Sequence, residues 1–326
     1  MNDDFSRILK VDFIDWNFYK GKTFFVTGAT GLIGTTFIKA LELINKEKEL
    51  NLHVIALVRN EEKAKKRFCE IADGKFLSFY VGNVENTISL SANIDYIVHG
   101  ASMTASRDFI NTPVETINTS VSGTYNMLEL AKEKKVKRFI YLSSMEVYGY
   151  QKCGHKVIEN EIGKFASNDL RNCYPISKIA AESLCYSFAK EYGVSCSICR
   201  LAQTYGGEYS KKDNRLFAYF KQCIDEKKDI VLNTYGESER CYIHSLDVVT
   251  AILTIICSGS VDGIYNVADE ESYCSVASMA ERIAKSGNIH VRYDIQDKNK
   301  NGFPETTYLD LDTTALKKLG WKVLEG

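Results

Sequence analysis

KTFFVTGATGLIGTTFIKALELI, residues 22–44, decides the fold. Residues 22–28 form an apolar, β-branched run that reads as a buried strand. Apolar residues at helical spacing follow at once, through LIGTTFIKALELI. Between the two lie Gly28, Gly31 and Gly34. The first glycine permits a tight turn, the second lets backbone approach a pyrophosphate, and the third lets helix and strand pack closely. The first amides of the helix, at Thr30, Gly31, Leu32 and Ile33, then face negative charge. A glycine triplet alone is weak evidence, but between strand and helix it reads as a dinucleotide turn.

Working outward, HVIALV ends at Arg59, KFLSFYVGN ends at Asn83, IDYIVHGAS passes Ala101 and Ser102, RFIYLSS ends at Ser144, and SCSICRLAQ contains Leu201. A helix is expected from near Pro113 and another from Tyr174 to about Tyr192, stopped by Gly193. Apolar strands alternating with amphipathic helices predict an α/β fold, a Rossmann-type doubly wound parallel sheet. Such a sheet binds ligands beyond the carboxyl ends of its strands, where Gly28, Arg59, Asn83 with Val84, Ala101, Ser144 and Leu201 all fall. The expected organisation is an N-terminal extension at 1–20, an NAD(P)-binding domain at 21–204, and mainly a smaller substrate-binding lobe at 205–326.

The chemistry is read from Tyr174 and Lys178 in YPISK, thirty residues after Ser144. Four residues apart on a helix, they share a face. The ammonium is expected to favour ionisation of a phenol whose ordinary pKa is about 10, making it a base or acid near neutrality. Ser144 would hold the same substrate oxygen while a proton and a hydride move.

At the ribose end of the second strand stands Arg59 rather than an acid, which suits a 2′-phosphate and favours NADP(H), with NAD(H) the alternative if Asn60 contacts a plain ribose. The 326 residues carry a formal charge of -1 and 25% charged residues. No broad field exists for nucleic acid or an anionic membrane, so small-molecule partners are expected. No run approaches the roughly 20 apolar residues of a membrane span. Ten cysteines dispersed through strand and helix patterns suggest a reducing cytoplasm rather than a disulfide scaffold, and Cys196 and Cys199, within a strand pattern, read as buried thiols. Histidine and cysteine spacing predicts no metal site.

These motifs resemble the extended short-chain dehydrogenase/reductase superfamily, in its nucleotide-sugar epimerase, dehydratase and decarboxylase branch. The resemblance runs from about residue 20 to 322, through TGATGLIG, HGAS, SSMEVYG, YPISK, RLAQTYG, SERCYIHSLD and LKKLGW. It implies that Ser144, Tyr174 and Lys178 are catalytic, that Lys178 also holds the nicotinamide ribose, and that Gln203, Arg215 and Arg240 line a nucleotide diphosphate, with Thr104 also at the substrate. Gln203 stands where the family usually has asparagine, and Asn83 where an acid is common.

Met145 occupies the place where similar 4,6-dehydratases carry an aspartate, and it cannot protonate a departing hydroxyl. Glu146 matches the acid that decarboxylases and several epimerases retain. The resemblance therefore implies a nucleotide-sugar epimerase or decarboxylase with transient hydride transfer. An NADPH-dependent reductase of a nucleotide-linked keto sugar is the alternative, followed by a 4,6-dehydratase or a non-catalytic dinucleotide sensor. It also implies a homodimer paired through the helices around 124–133 and 174–192.

Overall fold

The computed structural model describes residues 5–71, 74–207, 215–296 and 306–324. Strands β1 (Thr23–Thr27), β2 (His53–Val58), β3 (Leu77–Val81), β4 (Tyr96–His99), β5 (Arg138–Ser144), β6 (Lys156–Val157), β7 (Cys196–Leu201), β8 (Gln203–Tyr205), β9 (Ile230–Leu232), β10 (Glu239–His244) and β11 (Ile264–Val267) follow in order. Then come β12 (Asp269–Ser275), β13 (Val291–Tyr293) and β14 (Tyr308–Leu311). The expected parallel sheet is present, with seven strands in the order β11-β7-β5-β4-β1-β2-β3.

The helices are α1 (Leu32–Lys48), α2 (Glu61–Arg67), α3 (Ser106–Asn111), α4 (Pro113–Lys134), α5 (Cys173–Tyr192), α6 (Leu216–Glu226), α7 (Ser245–Ser258) and α8 (Val276–Gly287); α1 and α7 cover one face of the sheet and α4 and α5 the other, whereas α6 and α8 belong to the smaller lobe. The strand period of two sorts the core. Phe24 and Val26 of β1 join a cluster with Phe37 of α1 and Val249 of α7, whereas Phe25 joins Met127 of α4 and Cys185 of α5 on the opposite face. Pro113 opens α4, where its missing N–H costs nothing. Gly193 closes α5 in the left-handed conformation.

Two features depart from the expected organisation. The segment beyond residue 205 does not stay in the second lobe: α7 packs on α1, and β11 extends the main sheet beside β7. Within that segment, β12, β10 and β14 form a second sheet with β6, and β8 pairs with β10. The N-terminal residues are also integral, since Ile8 and Tyr19 are fully buried and Tyr19 donates to the Leu253 carbonyl on α7. One further element, α3, was not expected from the sequence. Its six residues are too few to show a helical period.

Candidate active site

The sheet order reverses between β1 and β4, and the turn after β1 lies against the residues following β4. Gly28 has φ +66°, and a Cβ there would fall 2.6 Å from the Gly100 carbonyl oxygen. A Cβ on Gly34 would lie 2.3 Å from the Gly28 carbonyl oxygen. Both are required by the protein's own packing. Gly31 is different: its Cβ would meet only the Gly28 oxygen, at 3.2 Å. It forms the N-cap of α1, with no side chain capping the first turn. The Gly31 amide is bonded to the Gly28 carbonyl at 2.9 Å, and the first-turn amides beyond it, which no side chain caps, fit with the bare Cα a pyrophosphate approaching from the cleft.

That cleft measures about 580 Å³. Its wall includes the Gly28–Gly34 turn with Thr30, Leu32 and Ile33, then Arg59, Asn83, Val84, Ala101, Ser102 and Thr104. Tyr174, Lys178, Leu201 and Arg215 line it as well, whereas Ser144, at the end of β5, and Glu146, in the turn that follows, stand just outside the lining. Gln203 and Arg240 stand on β8 and β10 of the second sheet, outside this wall. Asn60 turns away to cap α2, accepting from the Lys63 amide at 2.8 Å. Beside Asn83, Gly123 of α4 lets Val84 close in, because a Cβ there would stand 2.9 Å from Val84 Cγ2.

Two residues that the sequence did not single out, Thr27 and His99, brace the sheet beneath the cleft. Thr27 Oγ1 accepts from the Gly100 and Ala101 amides at 3.2 and 3.1 Å, so its proton is directed to His99 Nδ1, 2.7 Å away. His99 Nε2 then donates to Thr124 Oγ1 at 3.1 Å, and that hydroxyl donates to the Ser120 carbonyl. Burial holds the imidazole pKa down to about 3, with Lys178 adding to the effect. His99 is thus a neutral strut joining β1, β4 and α4.

On the opposite wall, Tyr174 and Lys178 occupy successive turns of α5. Tyr174 is only 6% exposed. The Phe109 ring of α3 stacks on it, with centroids 4.5 Å apart and planes inclined by 10°. Arg171 lies over Phe109 at 4.8 Å and pairs with Glu146 at 2.8 Å. Glu146 is therefore engaged beside the tyrosine rather than left as a loop carboxylate in water. Met145 is packed in the core at 4% exposure.

The expected acidification of the phenol is not what the geometry produces. Burial pushes Tyr174 well above its ordinary value, and Glu146 adds to the rise; a hydrogen bond with Ser144 and the Arg171 charge act the other way. The Lys178 ammonium lies 5.7 Å from the Tyr174 ring centroid and donates to the Leu142 carbonyl at 2.8 Å. Burial lowers its pKa to about 8. The spacing of four residues brought the pair to one face but did not fix where the ammonium's hydrogen bond would go.

All ten cysteines are unpaired, with Cys196 and Cys199 buried in β7. Among the described residues no group of three potential metal ligands gathers. No described helix is long and apolar enough to cross a membrane.

Residues 24–268 match the model of the NAD dependent epimerase/dehydratase family. The chain is 26% identical over 304 residues to UDP-glucuronic acid decarboxylase 1 of Xenopus tropicalis, covering 92% of this chain and 68% of that protein. It is 26% identical over 256 residues to dTDP-D-glucose 4,6-dehydratase of Dictyostelium discoideum, covering 75% of this chain and 58% of that one. The structure of UDP-glucose 4-epimerase from Thermotoga maritima superposes with a TM-score of 0.77 at 22% identity, over 93% and 94% of the two chains. That likeness shows the shared fold. With the family model spanning the glycine turn, the strand-ending serine and the tyrosine–lysine helix, the chain belongs to the NAD dependent epimerase/dehydratase family, within the extended short-chain dehydrogenase/reductases.

Proposed function

We propose that the protein modifies a nucleotide-diphosphate sugar by transient hydride transfer, as an epimerase or decarboxylase. The observation that carries this reading is the placement of Tyr174 and Lys178 across one cleft from the glycine turn. A bound nicotinamide would supply the hydride acceptor and donor. The protein's own groups manage the proton and the substrate oxygen. Ser144 holds the sugar hydroxyl, and Tyr174 takes its proton as the carbon is oxidised and returns one when the ketone is reduced.

Burial raises the Tyr174 phenol pKa, so the ionised form that alone can accept the substrate proton depends on positive charge nearby. Lys178 and Arg171 are the cations placed to supply it. Arg215 in the cleft wall supports diphosphate binding, whereas Arg240 and Gln203, on the second sheet outside that wall, take part in this reading only through the family resemblance. The Xenopus relative is a UDP-glucuronic acid decarboxylase and the Thermotoga neighbour an epimerase, and both names agree with this reaction class. Buried Met145 offers no acid for loss of water.

The family is NAD dependent. Arg59, exposed at the cleft's ribose end, is the observation favouring NADP(H), and with it the second reading of a keto-sugar reductase. A homodimer is also proposed. The packed pair α4 and α5 presents Val114, Ile117, Tyr125, Tyr186 and Tyr192 to solvent, an outward apolar face suited to a second copy. A cytoplasmic setting suits ten unpaired cysteines.

The test is to purify the protein, identify any nicotinamide that accompanies it, and incubate it with nucleotide sugars while following mass and cofactor absorbance. Sugar conversion without net cofactor consumption supports the proposal. Stoichiometric NADPH oxidation supports the reductase instead. No conversion of any nucleotide sugar, with Tyr174→Phe indistinguishable from wild type in every assay, points to a sensor.

A further inference from the structure

We infer that Glu182 is a positioning residue for the reaction: clamped by Arg200 and Ser143, its carboxylate keeps the Lys178 ammonium charged and in register behind Tyr174. The inference rests on the proposed roles of Tyr174 and Lys178.

Three consecutive residues of β5 engage three successive turns of α5. The Leu142 carbonyl receives the Lys178 ammonium, the Ser143 hydroxyl donates to Glu182 Oε1, and Ser144 acts on the Tyr174 phenol, favouring its ionised form. Tyr174, Lys178 and Glu182 follow at intervals of four, hence along one stripe of the helix. The carboxylate is fixed from the far side by Arg200 of β7, through Nε at 3.1 Å to Oε1 and Nη2 at 2.7 Å to Oε2. Arg200 is itself fully committed: Nη1 donates to the Glu159 and Glu161 carbonyls, and the guanidinium lies 4.9 Å from the Tyr148 ring. Both partners are almost wholly buried.

A buried ion pair is weak evidence of stabilisation, since apolar residues of similar volume often serve a core as well or better. Its placement beside a buried catalytic lysine supplies another reason for it. The groups facing Lys178 are the Tyr141 ring and Leu142 carbonyl of β5, neutral His99 of β4, and Tyr174, Glu182 and Cys185 of its own helix. Among the described residues that act on it, Glu182 is the carboxylate. Burial draws the ammonium down to about 8 while Glu182 opposes the fall. The charged form is held below that pH and lost above it, so removing Glu182 moves the loss to lower pH.

The experiment measures nicotinamide affinity by calorimetry, and nucleotide-sugar turnover, from pH 6 to 10 in the full-length protein. The variants are Glu182→Gln, Glu182→Asp and the double variant Glu182→Gln with Arg200→Gln, which leaves no orphaned guanidinium. The expected result is an alkaline limb lowered by about one pH unit or more in both glutamine variants, the size of effect a nearby opposite charge exerts. Glu182→Asp should restore it. Limbs superimposable on wild type, with only the melting temperature reduced, overturn the inference. Should neither glutamine variant fold, Ser143→Ala, which removes only the hydroxyl orienting the carboxylate, must still lower the limb; an unmoved limb there is equally fatal. Tyr174→Phe separates the two levels of argument. If it abolishes turnover while the Glu182 limbs stay put, only this inference fails; if it leaves turnover intact, the catalytic reading fails first.

Discussion

The two walls of the cleft are made in opposite ways. The glycine turn is shaped by backbone, with no room for a Cβ at Gly28 or Gly34. The β5–α5 wall is shaped by buried charge and ring contacts, in which each polar group depends on a partner from another element. One wall therefore fails by steric intrusion and the other by loss of a partner. Failure of the first should be felt in binding and stability, and failure of the second in turnover and its pH dependence.

The largest expected effect breaks the second wall alone. Tyr174→Phe should reduce turnover by about 10²–10⁴-fold, the usual contribution of a positioned acid or base, with cofactor affinity by calorimetry unchanged. A joint loss of affinity would mean the walls are not separable. Gly34→Ala attacks the first. Its methyl must displace the Gly28 carbonyl, so a stability loss of about 1–3 kcal/mol, read by denaturant titration, should accompany weakened cofactor binding. Arg59→Glu sharpens the comparison at the cleft's far end. It should cost NADP affinity relative to NAD by about 1.5–3 kcal/mol, the worth of a charge-assisted hydrogen bond, measured by parallel titrations.

The smallest effect belongs to Phe109→Ala. Losing the stack removes about 0.5–1.5 kcal/mol of ring–ring contact. Opening Tyr174 to water should bring its phenol down toward the ordinary value of about 10. In a turnover profile the limb assigned to Tyr174 then moves to lower pH. An unmoved limb would show that Phe109 is not what dries the phenol.

The same contrast explains what could be read from the chain. The glycine turn, β5, α4 and α5 were legible because each is local, a turn, strand or helix declared within its own few dozen residues and punctuated by Gly28, Pro113 or Gly193. The return of β11 to the main sheet was not, since an apolar strand does not declare its neighbour until register and space decide between sheets. Phe109 escaped notice because it lies 65 positions before Tyr174 on a helix of six residues. The hydrogen bond of Lys178 to Leu142, and the clamp of Glu182 on Arg200, are likewise facts of packing between distant segments. Sequence spacing placed tyrosine and lysine together, while burial determined that the phenol would be hard to ionise.

Gly123 carries one more implication. Because α4 has no side chain at that point, the loop bearing Val84 rests directly on the helix backbone, and the opposite side of the same rod carries solvent-facing Ile117 and Tyr125. Closely packed matter does not absorb a push. Whatever leans on the outer side of this rod leans also on the cleft wall at Val84, so pressure on that surface is transmitted to the cavity without a cushion between them.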